Sequence, residues 1–140
     1  MQILIAEDNN EHYICFLQAI NGISKFIDVM RVENGYDLFS MLQTNIKPDI
    51  IFLDIDMPYK NGLQILEEMR ENENFVAIPV VVLSSSAYEV VIKTAYMLGA
   101  LFFIKKYKCP KELKVLLQQV FSAPNLATCK QPDFSNFLIE

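Results

Sequence analysis

Apolar residues along the chain fall into two alternating kinds of run. Short, near-continuous runs lie at Ile3 to Ala6, Ile27 to Val32, Asp49 to Leu53, Val80 to Leu83 and Leu101 to Ile104. Runs of this length predict strands buried on both faces, as in a parallel sheet covered by helices. The second, IDVMRV, alternates more than the rest and is expected at an edge. Helical spacing fills the gaps. Tyr13, Phe16, Leu17 and Ile20 repeat at that spacing, as do Leu113, Leu116, Leu117 and Val120. Asn61 is placed to cap a helix whose inner face carries Ile65, Leu66 and Met69. Gly35 to Gln43 has a weaker helical pattern, and Ala87 to Leu98 a strong one that stops at Gly99. Strand then helix, repeated five times, predicts an α/β fold. The sheet should be parallel and doubly wound, with right-handed crossovers.

Beyond Phe121 the pattern breaks. Residues 122–140, SAPNLATCKQPDFSNFLIE, contain two prolines and few charges and are too short for a second domain. The expected division is therefore a domain over 1–121 and a C-terminal tail over 122–140. The tail either hangs free or docks through Phe134, Phe137, Leu138 and Ile139. A length of 140 residues, 52% hydrophobic, suffices for one packed core. A net charge of -5 speaks against non-specific nucleic-acid binding, which needs a basic footprint. No apolar run approaches the roughly 20 residues of a membrane helix. MQILIAEDNN lacks the basic start of a signal peptide. Cys15, Cys109 and Cys129 are odd in number and widely spaced, so they read as reduced thiols of a cytoplasmic protein. His12, the single histidine, reads as a solvated residue near a helix start.

The chemistry lies where the strands end. Ligands of a parallel sheet bind beyond the carboxyl ends of its strands. The first strand runs into Glu7 and Asp8, the third into Asp54, the fourth into Ser84, Ser85 and Ser86, and the fifth into Lys105 and Lys106. An acid after one strand is ordinarily a helix cap, and a serine there a turn residue. The whole set at the same ends is another matter. Two carboxylates ~4 Å apart repel by roughly 4 kcal/mol at an effective dielectric near 20. A hard divalent cation removes that repulsion, and oxygen ligands alone suit Mg²⁺ or Mn²⁺. A metal, a lysine and a hydroxyl around a carboxylate nucleophile make a phosphoryl-transfer site.

The stretches ILIAEDN, PDIIFLDIDMPYKNG, IPVVVLSSS and LGALFFIKK occur in this order. Together they resemble the receiver domain of two-component response regulators over roughly residues 2 to 121. The resemblance implies a flavodoxin-like (βα)5 fold with strand order 2-1-3-4-5. It implies that Asp54 accepts a phosphoryl group and that Glu7 and Asp8 position Mg²⁺ or Mn²⁺. Asp54 itself and the backbone carbonyl of Asp56 would complete the metal site. Ser84 matches the switch hydroxyl, Lys106 the phosphoryl-pairing lysine and Phe103 the switch aromatic. Met57, Pro58 and Gly62 match the loop after the acceptor. The implied partners are a histidine kinase or phosphotransfer protein, and a downstream target or homodimer through helix 4, strand 5 and helix 5. No nucleic acid or membrane is implied. Such a protein signals rather than acting as an enzyme: it catalyses only its own phosphorylation and slow dephosphorylation.

The sequence departs from the family in places. Tyr107 follows Lys106 where the family usually has proline after a cis bond, so Lys105 competes for the lysine's role. Ser85 replaces the usual alanine, and Asp56 adds an acid beside the acceptor. Two rival readings follow. One is a receiver-like binding module that works without phosphorylation. The other is a haloacid-dehalogenase-type phosphatase, suggested by the Asp54-x-Asp56 pair. Against the second, Met57 stands where that family has Thr or Val, and the only aspartate after Lys106 is Asp133.

Overall fold

The computed structural model describes residues 1–106 and 109–140. The Lys106–Tyr107 bond therefore lies outside the described residues. Six strands form one sheet: β1 (Gln2–Ala6), β2 (Asp28–Val32), β3 (Ile50–Asp54), β4 (Val80–Ser84), β5 (Phe102–Lys105) and β6 (Leu138–Ile139). Their order is β2-β1-β3-β4-β5-β6, and every pairing is parallel. The five expected strands are present within a residue or two of the expected limits, in the expected order. β2 is an edge strand, and its alternating character reflects one open side.

The helices are α1 (Asn10–Asn21), α2 (Gly35–Leu42), α3 (Gly62–Glu71), α4 (Glu89–Met97), α5 (Pro110–Ser122) and α6 (Pro124–Thr128). Strand alternation divides the core in two. Ile3 and Ile5 point to the side where Phe16 and Ile20 of α1 meet Leu113 and Leu117 of α5. Leu4 and Ala6 point to the other side, against Leu38 of α2, Ile65 and Met69 of α3 and Ala95 of α4. Helices thus cover both faces, which is why β3 and β4 are buried along their whole length.

Two local devices set the loop after β3. Asn61 and Gln64 form a reciprocal capping box at the start of α3. Gly62 lies against the end of β3, where a Cβ would stand 2.4 Å from the Asp54 carbonyl oxygen. No other residue fits there, so the loop closes tightly behind Asp54.

The tail is docked, and it corrects the five-strand expectation. β6 pairs beside β5, with Phe103 opposite Leu138 and Ile104 opposite Ile139. The Phe103 N–H donates to the Phe137 carbonyl at 3.0 Å. Phe137 is fully buried, its ring centroid 5.0 Å from Tyr96 and 6.3 Å from Phe103. The Tyr96 hydroxyl donates to the Pro132 carbonyl, and Gln131 donates to the carbonyls of Tyr96 and Ala100. Sequence pattern missed β6 because two residues are too few to show a period. Cys15, Cys109 and Cys129 form no disulfide with one another. Among the described residues, no helix is long and apolar enough to cross a membrane.

Truncating Phe137 to alanine should remove a filled aromatic site. The expected loss is about 3 kcal/mol of unfolding free energy, measured by urea denaturation. A loss under about 1 kcal/mol would show that the segment contributes little to the fold.

Candidate functional site

The site forms where β1, β3, β4 and β5 end side by side. Parallel register makes this unavoidable, because β3 lies between β1 and β4 and all the strands run the same way. Glu7, Asp8 and Asp54 each bring a carboxylate oxygen within 4.8 Å of the others. Glu7 and Asp54 are each 1% exposed, while Asp8 faces solvent. Glu7 is held firmly through its main chain: its N–H donates to the Val32 carbonyl, and its carbonyl accepts from the Arg31 Nε. Asp54 Oδ1 accepts the Asp56 N–H at 3.0 Å.

Lys106 supplies the counter-charge. Its Nζ lies 2.5 Å from Glu7 Oε1 and 3.1 Å from Asp54 Oδ1. Its backbone N–H donates to the Ser84 carbonyl at 2.7 Å, which anchors it beside β4. Lys105 is exposed and pairs in register with Ser84, so of the two lysines it is Lys106 that reaches the acids. Ser84 is fully buried. Its hydroxyl donates to the Ser86 carbonyl at 2.8 Å and accepts the Ser86 N–H at 3.1 Å, so it is turned into its own loop. Asp56 stands outside the three-acid cluster. Its side chain is exposed and accepts a long bond from the Ser85 hydroxyl at 3.4 Å. Phe103 is buried beneath the tail rather than lining the site.

One participant contradicts the sequence expectation. His12 is not a freely solvated residue: its Nδ1 lies 3.1 Å from Lys106 Nζ and 3.6 Å from Glu7 Oε1. It occupies the third position of α1, with its N–H held by the Asn9 cap. Helical side chains lean toward the N-terminus, so this position points back at the strand ends. That lean was the available signal, and counting histidines for a triad obscured it.

A family model for the response regulator receiver domain matches residues 3–118. The chain belongs to that family. Among curated relatives, it is similar to the chemotaxis protein CheY1 of Helicobacter pylori. The two are 24% identical over 120 residues, which is 86% of this chain and 96% of that protein. Among solved structures, it is similar to the Mn²⁺-bound form of the response regulator Rcp1, with 26% identity and a TM-score of 0.78. That match covers 94% of this chain and 98% of the other. It is also similar to the phosphorylated cyanobacterial phytochrome response regulator RcpA, at 27% identity and a TM-score of 0.78. Coverage there is 86% of this chain and 94% of the other. Phosphorylation and divalent-metal binding are general features of receiver domains.

The residues of this receiver fit a divalent cation. The donor set is all oxygen, as a hard ion requires. Burial, and then the bond to Asp54, push the Glu7 carboxyl up to about 7 even though Lys106 draws it down. Burial and the Lys106 charge push the His12 imidazole below its ordinary value.

The Glu7 shift fixes a pH dependence. Folded Glu7 keeps its proton to about pH 7, against 4.5 for the free group. The native state binds more protons across that window, so stability falls as pH rises through it. The Tm of the metal-free receiver is therefore expected to fall by several degrees between pH 4.5 and 7. The Glu7→Gln variant should lack this component, and added Mg²⁺ should shrink it. Parallel Tm profiles for wild type and Glu7→Gln would overturn the assignment.

Proposed function

We propose that this receiver accepts a phosphoryl group on Asp54 from a histidine kinase or a phosphotransfer protein. An Asp54 carboxylate oxygen forms a bond to phosphorus as the donor's P–N bond breaks, and the departing imidazole takes up a proton. The product is an acyl phosphate carrying about one more negative charge than the carboxylate it replaces. The observation that carries the reading is the setting of Asp54. It is a nearly fully buried carboxylate at a strand end, within reach of two further acids and one ammonium.

Glu7, Asp8, Asp54 and the backbone carbonyl of Asp56 are the residues that would hold Mg²⁺ or Mn²⁺. When bound, the ion supplies positive charge to the phosphoryl oxygens. Lys106 stands 3.1 Å from Asp54 Oδ1, ready to pair with an oxygen of the new group. Ser84 begins bonded to Ser86 and exchanges those bonds for one to the phosphoryl group. That exchange biases the loop before α4 between two states, and Phe103 follows it. The tight Gly62 turn keeps the acceptor fixed while this happens.

The signal leaves through α4, β5 and α5, toward a downstream protein. Tyr88 at the cap of α4, Val90 and Met97 on α4 and Val115 on α5 are exposed, apolar side chains of the kind that mark an interface. The face is narrower than sequence implies, because residues 131–139 take the β5 edge. Phe134, also exposed, extends it from the tail. Asp56 and Ser85 flank the acceptor at its open side, where a water must arrive to hydrolyse the acyl phosphate.

Incubation with Mg²⁺ and acetyl phosphate should add one base-labile phosphoryl group by intact mass. Asp54→Asn should take up none. Equal uptake by both would refute the acceptor assignment. Asp56→Asn should lengthen the phosphoryl lifetime severalfold by removing a carboxylate that can hold the attacking water. An unchanged lifetime would remove Asp56 from the hydrolysis step.

A further inference from the structure

Lysine is a donor only, with three N–H bonds on its ammonium. Around Lys106 Nζ stand three acceptors: Glu7 Oε1 at 2.5 Å, Asp54 Oδ1 at 3.1 Å and His12 Nδ1 at 3.1 Å. Each N–H thus has one partner. Two of the three belong to the carboxylate cluster that a divalent ion would occupy. An ion entering there and the ammonium compete for the same oxygens and repel each other. His12 lies outside that competition. It brings no negative charge, it comes from a different element, and its backbone is pinned by the Asn9 cap at 3.0 Å.

We propose that His12 is a positioning residue for Lys106, accepting through Nδ1 so that the ammonium stays beside Asp54 when a cation claims Glu7. The lysine stem is long and flexible, so an ammonium stripped of its Glu7 contact would otherwise wander. Because Lys106 only donates, Nδ1 must present its lone pair, and the ring proton must sit on Nε2. The histidine is thereby held as one neutral tautomer. Burial and the Lys106 charge act in the same direction by disfavouring its protonation.

This inference rests on the phosphoryl-acceptor reading of Asp54, and its test separates the two. With saturating Mg²⁺ and acetyl phosphate, uptake is followed by intact mass for wild type, His12→Ala and His12→Asn. An asparagine oxygen can stand near the place of Nδ1. His12→Ala should be slower by about tenfold, the scale of one lost hydrogen bond to a charged group. His12→Asn should recover most of the rate. In a Lys106→Met background, His12→Ala should cause no further loss, because the two act as one unit. A second readout needs neither metal nor phosphate: the ¹⁵N spectrum of the His12 ring in the metal-free protein. It should show the Nε2–H tautomer, and Lys106→Met should turn it into a mixture.

Uptake by His12→Ala within about twofold of wild type would overturn the proposal while leaving Asp54 as acceptor. So would an Nδ1–H tautomer, or an equal loss in the Lys106→Met background. Failure of wild type itself to take up phosphate would instead refute the acceptor reading, and the ring spectrum would still report on the His12–Lys106 contact.

Discussion

The structure depends on one electrostatic constraint. Glu7 and Asp54 are almost completely buried with carboxylate oxygens a few ångströms apart, and such a pair is tolerable only with positive charge between or beside them. The Lys106 ammonium provides it, touching both. Burial still raises the Glu7 carboxyl, which keeps its proton to about pH 7. The cluster is therefore held in a condition that favours any newcomer carrying positive charge. A divalent ion at the acids would improve the balance, and would offset the negative charge that a phosphoryl group adds at Asp54.

The scaffold delivers that arrangement cheaply. Parallel strands all end in the same direction, so the last residue of a strand or the one after it is enough to bring an acid, a hydroxyl and an amine together. Precision comes from the backbone. Arg31 and Val32 of β2 grip the main chain of Glu7, Gly62 closes behind Asp54, and the Ser84 carbonyl holds the N–H of Lys106. The side chains that can move, Ser84 and Lys106, have alternative partners within reach.

Much of this was legible in the sequence, for definable reasons. Near-continuous apolar runs identify buried parallel strands, and the residue after each run is then a strand-end residue by definition. Glu7, Asp8, Asp54, Ser84 and Lys106 could all be placed at one end of the sheet by that rule alone. What the rule could not give was orientation. Nothing in a pair of adjacent lysines says which one turns inward; the register of β5 against β4 does. Nothing in a single histidine says that its place in the first turn of α1 aims it at the acids. Asp56, adjacent in sequence to the acceptor region, faces solvent because the chain turns there to begin the loop. The last strand was missed for a different reason. Its order comes from a partner: Phe137 and Ile139 are buried only because β5, α4 and Tyr96 offer them a place.

That dependence has a consequence for the order in which the sheet is completed. Phe102, Phe103 and Ile104 form one of the most apolar strands of the sheet, and one side of its ladder is left open until residues 137–139 arrive. Until those residues pair, β5 presents a bare, sticky ribbon to neighbouring chains. Closure of the sheet depends on a segment distant in sequence from β5, so pairing of that segment sets how long the edge stays open to mispairing.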